Sequence, residues 1–93
     1  MVVARHVRIR GRVQGVFFRA WTRDEARAIG VAGWIRNCSD GSVEAQIEGD
    51  HDAVDELIDL LREGPPGARV DSVDVEDEKP ATGLSSFRIE GAS

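Results

Sequence analysis

The sequence holds one cysteine, Cys38, one lysine, Lys79, and no apolar run long enough to cross a bilayer. Each shortage excludes something. A lone cysteine cannot form an intramolecular disulfide, and neither a secretory h-region nor a spanning segment is present, so a reducing, cytoplasmic setting without a membrane partner is expected. There is no P-loop, no His/Cys/Asp cluster at metal-ligand spacing and no Ser/His/Asp pattern, so neither metal-assisted nor covalent catalysis is suggested, and no metal or cofactor is expected. Long blocks of like charge are missing too, and with 41% apolar residues this argues against wholesale disorder. Ninety-three residues without repeats or low-complexity stretches read as a single domain over 1–93, acting as a monomer.

The net charge of −5 disfavours generic nucleic-acid binding, but it is unevenly spread. Residues 1–37 carry eight arginines against two acids, whereas residues 38–93 carry four basic residues against fifteen acids. An anionic ligand therefore belongs to the first third of the chain. Eleven of the twelve basic residues are arginine, which suits bidentate recognition of an anion wherever one is functional, a genomic bias being the alternative reading.

From Arg5 to Arg12 polar and apolar residues alternate, with Val7 and Ile9 on one face and His6, Arg8, Arg10 and Arg12 on the other; this is a half-buried strand. Phe18 to Ile29 then repeats at helical spacing, with Phe18, Thr22, Ala26 and Ile29 on one face and Gly30 as its stop. Val31 to Asn37 and the run holding Val43, Ala45 and Ile47 form a hairpin around the turn Ser39-Asp40-Gly41, with Glu44, Gln46 and Glu48 facing outward. A second helix carries Val54, Leu57, Ile58 and Leu61 in one apolar stripe until Gly64-Pro65-Pro66-Gly67. Val70, Val73 and Val75 mark a fourth strand with an irregularity near Ser72, and Phe87 and Ile89 a short final strand after a break at Pro80 to Gly83.

This order predicts an α+β fold: a ferredoxin-like split βαββαβ sandwich, its antiparallel/mixed sheet carrying two helices on one face and a short extra C-terminal strand. In a right-handed split βαβ unit the first two strands run parallel with the third inserted between them. Their C-terminal ends then share one sheet edge, which brings the loop after the first strand close to Asn37.

That loop is where chemistry is expected. Gly11 and Gly15 bracket a short segment feeding straight into a helix, so consecutive amides can point into one concavity that suits a tetrahedral anion. Arg19, in the first helical turn, can close over two phosphate oxygens, although a cation there is mildly unfavourable to the helix dipole. On loop chemistry alone, a turn with no ligand reads equally well. Asn37 by itself reads first as a local backbone partner before a turn. Together with Arg19 it gains a second reading, in which its neutral amide orients a water toward phosphorus. A phosphatase with no general acid requires a leaving group that departs unaided. Mixed carboxylic-phosphoric anhydrides meet that condition, since the carboxylate expelled has a conjugate acid of pKa about 4.

GRVQGVFFR (Gly11 to Arg19), followed by GWIRNCSDGSV (Gly33 to Val43), resembles the two signature regions of the acylphosphatase family, and the likeness extends through almost the whole chain. It implies metal-independent hydrolysis of a small-molecule acyl phosphate to a carboxylate and inorganic phosphate. It further implies that Arg19 binds the phosphate together with the backbone of Val13, Gln14, Gly15, Val16, Phe17 and Phe18. Asn37 would hold the nucleophilic water, and a phosphate oxygen of the substrate would take that water's proton.

The other conspicuous residues read more plainly. His6 and His51 suit surface roles, and Cys38 has no basic or metal-binding partner evident in sequence. Trp21 is a packing residue, and Trp34 either packs or borders the site. Arg8, Arg10 and Arg12 are expected to pair across strands with Glu44 and Glu48. Two rival functions share this fold: a non-catalytic domain binding phosphate or carbamoyl phosphate, and an RNA-binding module. The latter is disfavoured by the absence of stacking aromatics on the central strands.

Overall fold

The structure is a computed structural model that describes residues 1–80 and 86–91. The elements are β1 (Val2–Arg12), α1 (Phe18–Ile29), β2 (Ala32–Asn37), β3 (Val43–Asp50), α2 (His51–Glu63), β4 (Arg69–Glu78) and β5 (Phe87–Ile89). They form one five-stranded sheet in the order β4-β1-β3-β2-β5, antiparallel except for the parallel pair β2–β5. This is the ferredoxin-like α+β arrangement, with β3 inserted between the parallel β1 and β2. Helix α1 packs over β2 and β5, and α2 over β4, β1 and β3.

Register explains the core. Val75, Val7, Ala45, Ile35 and Ile89 make one row across all five strands. With period-two alternation such a row faces one side. Onto it α1 places Phe18 and Ala26, and α2 places Val54, Leu57, Ile58 and Leu61, all buried. Helix α1 spans the residues its periodicity predicts, but Ile29, beside the Gly30 C-cap, is only partly buried. The irregularity expected near Ser72 is a register shift: Arg10 faces Ser72 and Gly11 faces Val70, so Asp71 is the extra residue. Of the break expected at Pro80 to Gly83, residues 81–83 lie outside the described residues.

The helix-free face departs from expectation. Glu44 and Glu48 point away from the helices, yet they are only 7% and 8% exposed. Long cationic side chains lie over Glu44, which accepts from His6 Nε2 at 2.8 Å, Arg8 Nη2 at 3.1 Å and Arg36 Nε at 2.7 Å. Burial alone would raise the Glu44 pKa; the hydrogen bonds from His6 and Arg36 outweigh it, and the pKa is lowered. Of the expected pairs Arg8–Glu44 forms, whereas Arg10 turns to Asp40 at 3.3 Å and Asp74 at 4.0 Å, and Arg12 makes no ion pair among the described residues. Trp34 also belongs to this face, where the Arg36 guanidinium sits 5.4 Å from its ring centroid. Trp21 packs edge-on against Phe18, centroids 5.8 Å apart.

One glycine holds β2 against β3. Gly33 has φ +143°, and a methyl group there would run into the carbonyl oxygen of Gln46 on the paired strand. Backbone cannot yield as a flexible side chain can. Gly33→Ala is therefore expected to cost about 3 kcal/mol or more in urea unfolding. A loss below about 1 kcal/mol, the scale of backbone strain alone, would contradict this close approach.

Candidate active site

Register across the sheet places Asn37 opposite Val43, and Val43 opposite Ile9. Asn37 therefore continues, on the helix side, a row in which Val43 and Ile9 are fully buried. Its Oδ1 is buried and has no hydrogen-bond partner among the described residues. A buried amide oxygen left in that state costs on the order of 1–3 kcal/mol. A structural asparagine satisfying its own turn would not carry this cost, and the 38–42 turn is indeed closed without it: Cys38 N–H donates to Ser42 O at 2.8 Å and Gly41 N–H to Cys38 O at 3.1 Å.

Asn37 also lines a cleft of about 300 Å³, together with Val13, Gly15, Phe17, Phe18, Arg19, Ala20 and Ile89. Arg19 is its sole charged lining residue, and among the described residues the guanidinium has neither a hydrogen bond nor an ion pair. No carboxylate among the described residues borders the cleft to neutralise it.

The loop between β1 and α1 is shaped by two left-handed residues, Gly15 (φ +76°) and Phe17 (φ +60°). Nothing lies within 4 Å of where a Gly15 side chain would begin, so glycine is required there by conformation and not by crowding. Phe17 is the N-cap of α1, with no side-chain capping bond and no acid in the first turn. Helix α2 is the contrast, since the Asp50 carboxylate caps it at the Asp52 amide. The first amides of α1 have no intrahelical acceptor, as in every helix, and here no side chain among the described residues supplies one. Among the described residues the amides of Gln14, Gly15, Val16 and Phe17 likewise donate to no protein acceptor.

Gln14 has a role the sequence did not disclose. Its side chain turns to the 38–42 turn, and Nε2 donates to Cys38 O at 2.8 Å and Ser42 O at 2.9 Å. Only its backbone is left for the loop's concavity, and its side chain ties that loop to the turn that follows Asn37. The signal for it was a long amide side chain set between Val13 and Gly15, but its acceptors were invisible without the register. Cys38, for which no basic partner was evident, has Arg8 Nη1 3.7 Å from its Sγ, because Arg8 reaches across β3 toward the same turn. Ile89 and Ala20 also line the cleft unanticipated; Ile89 reaches it because β5 pairs in parallel with β2, opposite Ile35. Trp34, which the sequence left as a possible border, does not line it.

The turn is braced electrostatically as well. Asp40 accepts from the Ser42 hydroxyl at 2.6 Å and the Ser42 amide at 2.9 Å, and Arg8 donates to the Ser42 hydroxyl at 3.0 Å. The Ser42 hydroxyl first, then its amide and Arg10, hold the Asp40 carboxyl down to about 2. A carboxyl with a folded pKa below its unfolded value contributes stability in full above the unfolded value, near 4, and loses it as pH falls toward 2. Wild type is therefore expected to lose stability between about pH 4 and 2, and Asp40→Asn to lose less across that window. An identical acid limb for the two proteins, followed by circular dichroism, would contradict the bracing.

Among the described residues no three His, Cys, Asp or Glu side chains are grouped to hold a metal ion, and no helix is long and apolar enough to cross a membrane. Fold and cleft together place the chain among ferredoxin-like sandwiches whose first strand-to-helix loop opens beside the end of the second strand. The acylphosphatase family model matches residues 5–89. The chain is 53% identical over 89 residues to an acylphosphatase of Thermococcus kodakarensis, covering 96% of this chain and 97% of that protein. It also superimposes on the crystal structure of acylphosphatase from Bacillus subtilis with a TM-score of 0.91 and 32% identity, over 97% and 99% of the two chains. A third likeness is to full-length HypF in a phosphate- and nucleotide-bound form, with a TM-score of 0.90 and 27% identity; it takes in 99% of this chain but 12% of that one. The chain belongs to the acylphosphatase family.

Proposed function

We propose that this chain hydrolyses small-molecule acyl phosphates at the Arg19–Asn37 cleft, releasing a carboxylate and inorganic phosphate. The observation that carries the reading is that Asn37 and Arg19 line one cleft, while among the described residues the buried Asn37 Oδ1 and the Arg19 guanidinium are both without a partner. In this reading the backbone amides of residues 13–18 and the first turn of α1 receive the phosphoryl oxygens, and Arg19 closes over two of them. Phosphoryl transfer requires little covalent chemistry from the protein, so positioning and charge stabilisation suffice.

Asn37 Oδ1 accepts a hydrogen bond from the attacking water and so aims the water's lone pair at phosphorus. An amide performs this without adding negative charge beside the anion. The water's oxygen bonds to phosphorus as the bond from phosphorus to the acyl oxygen breaks, and the carboxylate leaves with that electron pair. The water's proton passes to a phosphate oxygen, so no protein base or acid is needed. No step is assigned to a metal or an organic cofactor, and we read residues 1–93 as one domain working as a cytoplasmic monomer.

The test is hydrolysis of benzoyl phosphate by the purified protein in excess chelator. Release of benzoate and phosphate above the spontaneous rate supports the reading, and a rate equal to the spontaneous one rejects it. The likeness to one eighth or so of HypF gives the second reading, a phosphate-binding domain without turnover. Stoichiometric phosphate binding without release would favour that one.

A further inference from the structure

Exposed large hydrophobic side chains among the described residues are Met1, Val2 and Phe17. Two of these belong to the first two residues of the chain. Phe17 does not: it is 86% exposed, stands on the rim of the cleft, and adopts a left-handed backbone (φ +60°, ψ +24°) that suits glycine or asparagine far better than an aromatic. It caps no helix amide with its side chain and belongs to no core cluster. An aromatic kept in a strained conformation with its ring in solvent contributes little to folding, so its use is sought in what the cleft receives.

The composition of the cleft says what that is. Beyond Arg19, Asn37 and Gly15 its lining is Val13, Phe17, Phe18, Ala20 and Ile89, all apolar. Arg19 is the single cation, and it is committed to the phosphoryl group. Nothing else among the described lining residues would pair with a second negative charge, and the chain as a whole carries −5. We infer that the cleft selects acyl phosphates whose acyl group is uncharged and apolar, aromatic or branched aliphatic, and that Phe17 and Ile89 are the side chains that receive it. The inference rests on the phosphate-cleft reading above. Ring-on-ring contact or simple apolar burial against Phe17 gives such an acyl group an advantage over a bare acetyl group, and a carboxylate-bearing acyl group would be left unpaired against the apolar wall.

A binding experiment separates this inference from the hydrolytic one, because phosphonates occupy the cleft without turning over. Dissociation constants of phenylphosphonate and methylphosphonate are measured by calorimetry for wild type, Phe17→Gly and Ile89→Ala. Wild type is expected to prefer phenylphosphonate by about tenfold. Phe17→Gly should erase most of that preference without lowering the melting temperature, since glycine accepts the left-handed backbone. Ile89→Ala, outside the loop, should reduce the preference in part. The ratio of the two constants is the readout, because a general disturbance of the loop weakens both ligands alike. Equal affinities in wild type, or a preference unchanged in both variants, would overturn the inference. In parallel, rates with benzoyl, acetyl and succinyl phosphate, each divided by its spontaneous rate, should fall in that order. Phosphonate preference without any hydrolysis would reject the enzymatic reading and retain the apolar pocket.

Discussion

Arg19→Ala is expected to lower kcat/KM for benzoyl phosphate by about a thousandfold or more, the range seen when a guanidinium that stabilises a transferring phosphoryl group is removed. The size follows from its isolation. Among the described residues Arg19 is the one cation lining the cleft, no carboxylate shares it, and the lining holds no second cation to take its place. Inorganic phosphate should bind much more weakly to the variant, because the ground-state anion and the transition state use the same fork. Arg19→Lys is expected to recover part of the phosphate affinity but less of the rate, since an ammonium supplies charge without the two parallel donors. Fold stability should hold, because the guanidinium makes no hydrogen bond or ion pair among the described residues. Equal phosphate affinity in Arg19→Ala and wild type, measured by calorimetry, would remove Arg19 from this role.

Asn37→Ala is expected to separate the two halves of the site. Turnover should fall about a hundredfold or more, the cost of misplacing a reacting group, while phosphate affinity stays near that of wild type. Removing the amide also deletes a buried oxygen with no partner, so the variant should be no less stable than wild type. Stability held and activity lost together distinguish a functional asparagine from a structural one. Asn37→Asp should lose both turnover and phosphate affinity, because a carboxylate there faces the anion. Phosphate affinity falling in Asn37→Ala as far as in Arg19→Ala would argue against a division between water and phosphate.

Much of the fold was legible because burial on one face of an element imposes a period on its sequence. The helix from Phe18 to Ile29, its stop at Gly30, the stripe from Val54 to Leu61 and the irregular strand near Ser72 each rest on local pattern. Topology then followed from element order and handedness, and with it the meeting of Asn37 and Arg19, 18 positions apart in sequence. What was not legible depends on cross-strand register. Alternation assigned Glu44 to the face away from the helices, but only the pairing of β1 and β2 on either side of β3 shows Arg8, Arg36 and His6 converging on it and taking it out of solvent. Gln14 reads as one more loop residue until its amide is seen donating to Cys38 and Ser42. Ile89 could be placed on a strand by its apolar character, yet its arrival at the cleft follows from a three-residue parallel pairing that no local pattern encodes.

Isotopic labelling tests most directly whether a water held at Asn37 attacks phosphorus. Wild type hydrolyses benzoyl phosphate in heavy-oxygen water with excess chelator, and both products are analysed by mass spectrometry. Attack on phosphorus places the heavy oxygen in inorganic phosphate and leaves benzoate unlabelled, which is the predicted result. Label in the benzoate carboxyl would show that water attacks the acyl carbon, and would contradict the account.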